Sequence, residues 1–196
     1  MAYLVSDDRR AQIWHQLETE VGLTPREILD CPPPRLATVI AAGGMLAEHR
    51  AAKLHRCAEV AVERFEGELS ALPRLPSAQI RRELRRYPSI GNGADKILLL
   101  ARIEPVLALD SNGLRVLLRL GYGEEVENYD RTYRSAQTAA IQELPQTFEA
   151  LIDAHLLLRH HGAVICRRSA PACDSCPLFR DCPRKGLALQ PPEISC

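Results

Sequence analysis

Four cysteines near the C-terminal end of the chain have the residue type and spacing to bind a metal centre. Cys166, Cys173, Cys176 and Cys182 lie in the segment "CRRSAPACDSCPLFRDC", with the pattern C-x6-C-x2-C-x5-C. Structural zinc sites usually combine two cysteine pairs separated by a longer loop, whereas a [4Fe–4S] cluster takes four thiolates. Because this segment has a single C-x2-C pair within a short, proline-containing loop, its spacing favours an iron–sulfur cluster over zinc.

The N-terminal residues favour a cytoplasmic protein, in which clustered cysteines more often bind metal than form disulfides. The apolar run in "MAYLVSDDRR" is too short for a signal peptide and is followed by charged residues. No apolar run reaches the roughly 18 residues of a membrane-spanning helix. We therefore expect a cytoplasmic location, with no membrane contact.

Charge is balanced over the whole chain but unevenly distributed along it. The sequence contains 25 Lys and Arg and 25 Asp and Glu, for a formal net charge of zero. Residues 74–102 contain seven basic and two acidic side chains, and residues 159–185 contain six and two. Such basic segments either bind nucleic-acid phosphates or form solvated helix faces. The total charge argues against a nucleic-acid partner, and the local distribution argues for one.

The elements that must position these residues are predicted to be helical. A capping box at residues 24–27 starts one helix, and Gly43-Gly44 interrupts an alanine-rich helical segment. The segment 110–121 begins with Asp110 as N-cap and ends at a glycine. No segment has the alternation and turn residues of paired strands. The sequence therefore predicts an all-α protein.

Two further features precede the cysteines in the chain. The segment "RRELRRYPSIGNGADKILLLA" contains a basic helix, a turn that ends at Gly91, and an apolar helix. A glycine turn before a helix N-terminus lets backbone N–H groups reach a phosphate, although a plain helical hairpin has the same pattern. Asp110 opens the next helix, either as a cap alone or as a carboxylate available for chemistry at the helix N-terminus.

The order of hairpin, aspartate and four cysteines resembles that of the endonuclease III and MutY family of DNA glycosylases. The resemblance covers about residues 25 to 182 and implies a two-lobed, all-α helix-hairpin-helix fold. One lobe is then a six-helix bundle with the hairpin at 25–135. The other joins 1–24 to 136–196 and carries the cluster loop at 166–182.

The family's functional residues carry over to particular positions of this sequence. The four cysteines would bind a [4Fe–4S] cluster, and Asp110 would be the catalytic carboxylate. The residues expected to contact DNA are Ser89, Ile90, Gly91 and Gly93 in the hairpin, Asn112 after the aspartate, and Met45. Met45 stands beside the Gly43-Gly44 turn, where the family usually has a Gln-rich turn; it is either an apolar wedge in the base stack or a core residue.

The chain departs from the family's bifunctional members at the hairpin. Their catalytic lysine lies two residues after the last glycine of the hairpin. With Gly91 as that last glycine, the lysine position is occupied by Gly93 in this sequence. Without an amine at this position the usual Schiff base cannot form. Lys96, three residues further on, is a weaker candidate for the nucleophile because it more readily binds phosphate or faces solvent.

The resemblance therefore predicts a monofunctional DNA N-glycosylase of base excision repair. It would act as a monomer on double-stranded DNA that contains a lesion or a mispair, at the nucleoid if the protein is bacterial. One alternative is a glycosylase and abasic-site lyase of the endonuclease III type that uses Lys96 or another amine. The other is a non-catalytic protein that binds damaged DNA.

Overall fold

The computed structural model describes residues 2, 5–88 and 90–187, which form nine α-helices and no strand. The predicted all-α class is thus confirmed. The helices are α1 (Asp7–Glu20), α2 (Pro25–Asp30), α3 (Pro33–Val39), α4 (Ala47–Phe65), α5 (Ser77–Leu84), α6 (Gly93–Leu100), α7 (Ser111–Leu120), α8 (Tyr129–Ile141) and α9 (Phe148–Val164). Among the described residues, no helix combines the length and apolar character needed to span a membrane.

The contacts between residues divide the chain into two compact units. The first unit comprises Met1–Gly91 and the second Asn92–Cys196. The lobes predicted from the sequence, 25–135 and 1–24 with 136–196, group the helices differently. Their boundaries stay a prediction.

The core of the first unit forms where α1 to α4 bury their apolar faces against one another. The predicted capping box starts α2: Thr24 Oγ1 accepts from the Glu27 N–H, and the Glu27 carboxylate accepts from the Thr24 N–H at 2.8 Å. The most buried apolar residues of this core are Ile13, Leu17, Ile28, Leu36, Val39, Ile40 and Ala51. These helices support the turn between α3 and α4 that contains Met45.

A buried carboxylate joins α4 to the basic helix α5. Glu83 accepts from Arg64 Nε and Nη2 at 3.0 and 3.1 Å and forms an ion pair with Arg86 at 3.2 Å. The Glu83 side chain is only 7% exposed, whereas both arginines are about half exposed. The hydrogen bond from Arg64 is the main reason that the pKa of Glu83 lies below its usual value.

Glu83→Gln should destabilise the protein by about 2 kcal/mol at neutral pH, since it removes the charge from hydrogen bonds with two arginines. The native pKa of Glu83 is below the unfolded one, so its stabilisation is present above the unfolded value and disappears as pH falls through the native value. Urea unfolding at pH 7 and pH 3 tests this. The difference between variant and wild type should shrink at pH 3; an equal difference at both pH values would contradict it.

The second unit is built around α7, which lies against α8 and α9. Its core consists of Leu99, Leu107, Ala108, Leu114, Leu117, Tyr133, Ala136 and Leu151. Gly162 of α9 permits a close approach to α7, because a Cβ atom there would lie 2.6 Å from the Asn112 carbonyl oxygen. The end of α9 therefore packs directly against the start of α7.

Candidate active site and four-cysteine loop

Asp110 is held at the N-terminus of α7 by its own side chain. Its Oδ1 accepts from the backbone N–H groups of Asn112 at 2.9 Å and Gly113 at 2.8 Å. Its Oδ2 lies 3.8 Å from Arg159 Nε, and 28% of the side chain is exposed. The predicted N-cap is thus present, and one carboxylate oxygen is fixed by the helix while the group stays accessible to water.

Buried polar side chains fix the backbone that leads into Asp110. Tyr133 Oη accepts from the Leu109 N–H at 3.2 Å and donates to Asp95 Oδ2 at 3.0 Å. Burial, followed by the charge of Asp95, raises the pKa of Tyr133, so the phenol keeps the proton that it donates. His155 Nδ1 lies 2.9 Å from the Ala108 carbonyl oxygen, which can only accept, so this nitrogen is the donor of the hydrogen bond.

Arg115 connects the start of α7 with the first cysteine of the loop. Its Nη2 donates to Asn112 Oδ1 at 2.9 Å and to the Gly162 carbonyl oxygen at 2.6 Å. Its Nε donates to the Cys166 carbonyl oxygen at 2.9 Å. The amide oxygen of Asn112 therefore orients Arg115; the predicted contact of Asn112 with DNA stays a prediction.

The four cysteines predicted to bind a cluster line a single cavity in the second unit. Burial is the main cause of a raised pKa at Cys173, and the charges of Cys166, Cys176 and Cys182 add to it. Among the described residues, no group of three or more His, Cys, Asp or Glu side chains is arranged to hold a metal ion. Four thiols facing one cavity have the donor chemistry of an iron–sulfur cluster, and the cluster itself stays a prediction.

Arg119, on the last turn of α7, holds the cysteine loop. It is 9% exposed, and its guanidinium donates to the Arg167 carbonyl oxygen at 2.7 Å, to the Arg168 carbonyl oxygen at 3.2 Å and to Cys166 Sγ at 3.2 Å. Its own carbonyl oxygen accepts from Cys182 Sγ at 3.5 Å. One helix thus carries Asp110 at its N-terminus and the anchor of the cysteine loop at its C-terminus.

The predicted hairpin residues occupy a turn that precedes α6. Ile90 packs against a small cluster of Val60, Ala61 and Tyr87 in the first unit. Gly91 has φ +43°, the left-handed region that favours glycine, and is exposed. Ser89 lies outside the described residues. The turn has the backbone freedom that a phosphate contact requires, and binding of DNA by these residues stays a prediction.

Gly93 and Lys96 are both exposed residues in the first half of α6. Gly93 is the first residue of α6 and is exposed, and a Cβ atom there would meet no atom within 4 Å. Lys96 is exposed one turn further along the helix. In the second unit Asn92 Nδ2 donates to Asp130 Oδ1 at 2.8 Å, which fixes the entry of α6.

Met45 is exposed on a turn that a buried arginine holds. Met45 is 67% exposed and Leu46 is 73% exposed, with Leu46 in the left-handed region at φ +58°. Arg50 donates to the carbonyl oxygens of Met45 at 2.9 Å and Gly44 at 2.6 Å, and also to those of Ile40 and Ala41. Met45 is therefore not a core residue, and a rigid turn presents it to solvent.

Three arginines that hold candidate functional residues within their own units were not singled out by the sequence pattern. Arg50, Arg119 and Arg159 all act through partners distant in the chain or through backbone carbonyls, and neither kind of partner leaves a local motif. For Arg159 the sequence offers only a basic residue directly after the apolar run "LLL". Its ion pair with Asp110 joins α9 to the start of α7.

No protein-family model matches the chain. Solved structures that are similar to it include a trapped covalent endonuclease III–DNA intermediate, a non-covalent endonuclease III–DNA complex and a thermostable thymine-DNA glycosylase. The sequence identities are 22%, 23% and 22%, and the TM-scores are 0.69, 0.71 and 0.68. The matches cover 90%, 90% and 89% of this chain and 76%, 76% and 75% of the other chains. The predicted resemblance is confirmed at the level of architecture: the chain has the fold of the endonuclease III structures.

Proposed function

We propose that the protein is a monofunctional DNA N-glycosylase of base excision repair. The observation that carries this proposal is the Asp110 carboxylate, which is fixed at a helix N-terminus through Oδ1 and is accessible to water. The fold supports it, because the similar structures include endonuclease III–DNA complexes and a thymine-DNA glycosylase. The substrate would be a damaged or mispaired base that is flipped out of the duplex.

The carboxylate suits hydrolysis of a glycosidic bond. When that bond breaks, its electron pair leaves with the base and positive charge develops on the sugar, where an ionised carboxylate stabilises it. Asp110 then accepts a proton from the water whose oxygen forms the new bond to C1′. The products are a free base and an abasic site.

The hairpin and the Met45 turn would bind the duplex. Backbone N–H groups of the turn around Ile90 and Gly91 and the start of α6 at Gly93 suit a phosphate. Met45, with Leu46, would enter the base stack beside the flipped nucleotide, since exposed apolar side chains on a rigid turn act as wedges. Asn112 is the further DNA contact in this proposal.

The cysteine loop would provide a second contact with the DNA backbone. Cys166, Cys173, Cys176 and Cys182 would hold a [4Fe–4S] cluster, which would stiffen the loop. Exposed basic side chains on the loop and directly after it would then face phosphates: Arg167, Arg168, Arg180 and Lys185. Binding through such residues should weaken steeply as salt rises.

Gly93 supports the monofunctional assignment, because no amine stands at the start of α6. The alternative lyase would use Lys96, which is exposed on the same helix. The other alternative, a protein that binds damaged DNA without catalysis, is also favoured by the missing amine. We rank this non-catalytic alternative below the glycosylase because of Asp110, since a carboxylate near the anionic DNA backbone does not help binding.

Gly93→Lys should convert the protein into one that is trapped on DNA by borohydride. The added side chain has room, and the backbone of Gly93 is not left-handed, so the helix should tolerate it. Its amine would attack C1′ as the base leaves and form an imine that borohydride reduces. Gly93→Ala is the matched control and should give no adduct. Efficient trapping of the wild-type protein, lost in Lys96→Ala, would instead establish the lyase.

The function is tested by single-turnover base release from a panel of duplexes. The panel contains uracil, oxidised pyrimidines, alkylated purines, and adenine or thymine mispairs, and half of each sample receives alkali. Strand cleavage only after alkali would support a monofunctional glycosylase and name its lesion.

We further propose that the protein acts as a monomer in the cytoplasm, at the nucleoid in a bacterium. Light scattering tests the monomeric state, and cell fractionation tests the location.

A further inference from the structure

Arg159 forms an ion pair with Asp110. It lies on α9, its Nε is 3.8 Å from Asp110 Oδ2, and 36% of its side chain is exposed. This distance permits electrostatic attraction but exceeds that of a hydrogen bond. The close approach of α7 and α9 at Gly162 brings the backbone of Arg159, one turn earlier on α9, near the start of α7.

A positive charge in this position would hinder the proposed reaction if it faced the sugar. The sugar becomes positive as the glycosidic bond breaks, and a guanidinium directed at it would raise the barrier. The base is attached to the same carbon and gains the electrons of the broken bond. A guanidinium directed at the base would therefore lower the barrier, because it stabilises charge that develops only in the transition state.

We propose that Arg159 is a catalytic residue that contacts the departing base and stabilises the negative charge on it. This inference rests on the proposed glycosylase function. The C1′–N bond breaks with both electrons going to the base, Arg159 donates hydrogen bonds to a carbonyl oxygen of that base, and water supplies the hydroxyl at C1′ and, through Asp110, the proton. The fork of donors on arginine suits such an oxygen.

This role selects a chemical class of base. Bases with a carbonyl beside the glycosidic nitrogen, such as uracil and thymine, can leave as anions and fit the guanidinium. Adenine has no carbonyl oxygen, and an alkylated purine that already carries positive charge is repelled. Arg159 thus makes a keto pyrimidine the preferred substrate class.

The experiment compares two leaving groups in the same duplex, uracil and 5-fluorouracil. Fluorine withdraws electrons and makes the base anion more stable, so it needs less help from the protein. Arg159→Gln should lower single-turnover release of uracil by about 100-fold and release of 5-fluorouracil by clearly less. Arg159→Lys, which keeps the charge without the fork, should fall between wild type and Arg159→Gln. Arg102→Gln is the matched control, since Arg102 forms an exposed ion pair with Glu149 in the same unit; it should match wild type on both bases.

The outcomes separate this inference from the proposed function. Equal loss on both bases would reduce Arg159 to a residue that orients Asp110 and would overturn the inference. So would weaker binding to all duplexes with a shallower salt dependence, which indicates a phosphate contact. Release of purines but not of uracil by the wild type would leave the glycosylase standing and overturn the inference. No release of any base by the wild type would overturn both. Thermal unfolding of each variant confirms that it is folded.

Discussion

Asp110→Asn should reduce the rate of base release by about 10³-fold or more, while the protein stays folded. An amide cannot neutralise the positive charge on the sugar and cannot accept a proton from water at neutral pH. The oxygen of asparagine can still accept from the N–H groups of Asn112 and Gly113, which cap α7. The substitution therefore separates the chemistry of the carboxylate from its structural role. Single-turnover release from the preferred duplex measures it.

The control for this prediction is another helix cap in the same unit. Thr147 caps α9 by accepting from the Ala150 N–H at 3.3 Å. Thr147→Ala should cost about 1 kcal/mol of stability, as losing an N-cap does, and should leave base release intact. If Asp110→Asn kept the wild-type rate, or if both variants lost activity in proportion to their loss of stability, Asp110 would be a cap and not a catalyst.

Arg119→Met should release the cysteine loop from α7. Methionine fills similar volume but provides no donors, so the carbonyl oxygens of Arg167 and Arg168 lose their hydrogen bonds from α7, while that of Cys166 keeps the one from Arg115. Removing one partner from such a buried, charged network costs about 3 kcal/mol or more. We expect a lower thermal unfolding temperature and faster proteolysis within the loop. Because the proposed cluster would depend on the loop, we also expect less bound iron per chain.

Iron content and proteolysis are read directly, so this prediction does not depend on an activity assay. Arg134→Met is the control because it removes the same charge from an exposed position on α8. That variant should keep the iron content and the loop protection of the wild type. An Arg119→Met protein with unchanged iron content, stability and proteolysis would show that α7 does not hold the loop.

The parts of the fold that follow from local signals were predictable from the sequence. The capping box at residues 24–27, the break at Gly43-Gly44, and the helix that starts after Asp110 and ends before Gly121 are all present. Each of these features depends on residues within about one helical turn, so the residues that cause it are adjacent in the sequence and can be recognised there. Asp110 at its helix N-terminus is such a case.

The long-range contacts of the arginines could not be predicted from the sequence in this way. Arg119 reaches a loop 47 to 49 positions away in the chain, and Arg115 reaches Gly162 at a similar separation. Their partners are mostly backbone carbonyls, which every residue has, so no residue type marks them. Arg50 had no local signal for the same reason. The relation of Arg159 to Asp110 required the packing of α7 on α9, which only the folded chain provides.

The measurement that tests the central claim most directly is the amount of free base released from a duplex that the protein binds. Wild-type protein in excess over the preferred duplex, with binding followed by fluorescence anisotropy and the base quantified by mass spectrometry, gives both values from one sample. We predict one free base for each bound duplex, with the strand intact until alkali is added. Saturated binding without release of the base from any duplex of the panel would contradict the account and leave a protein that only binds DNA.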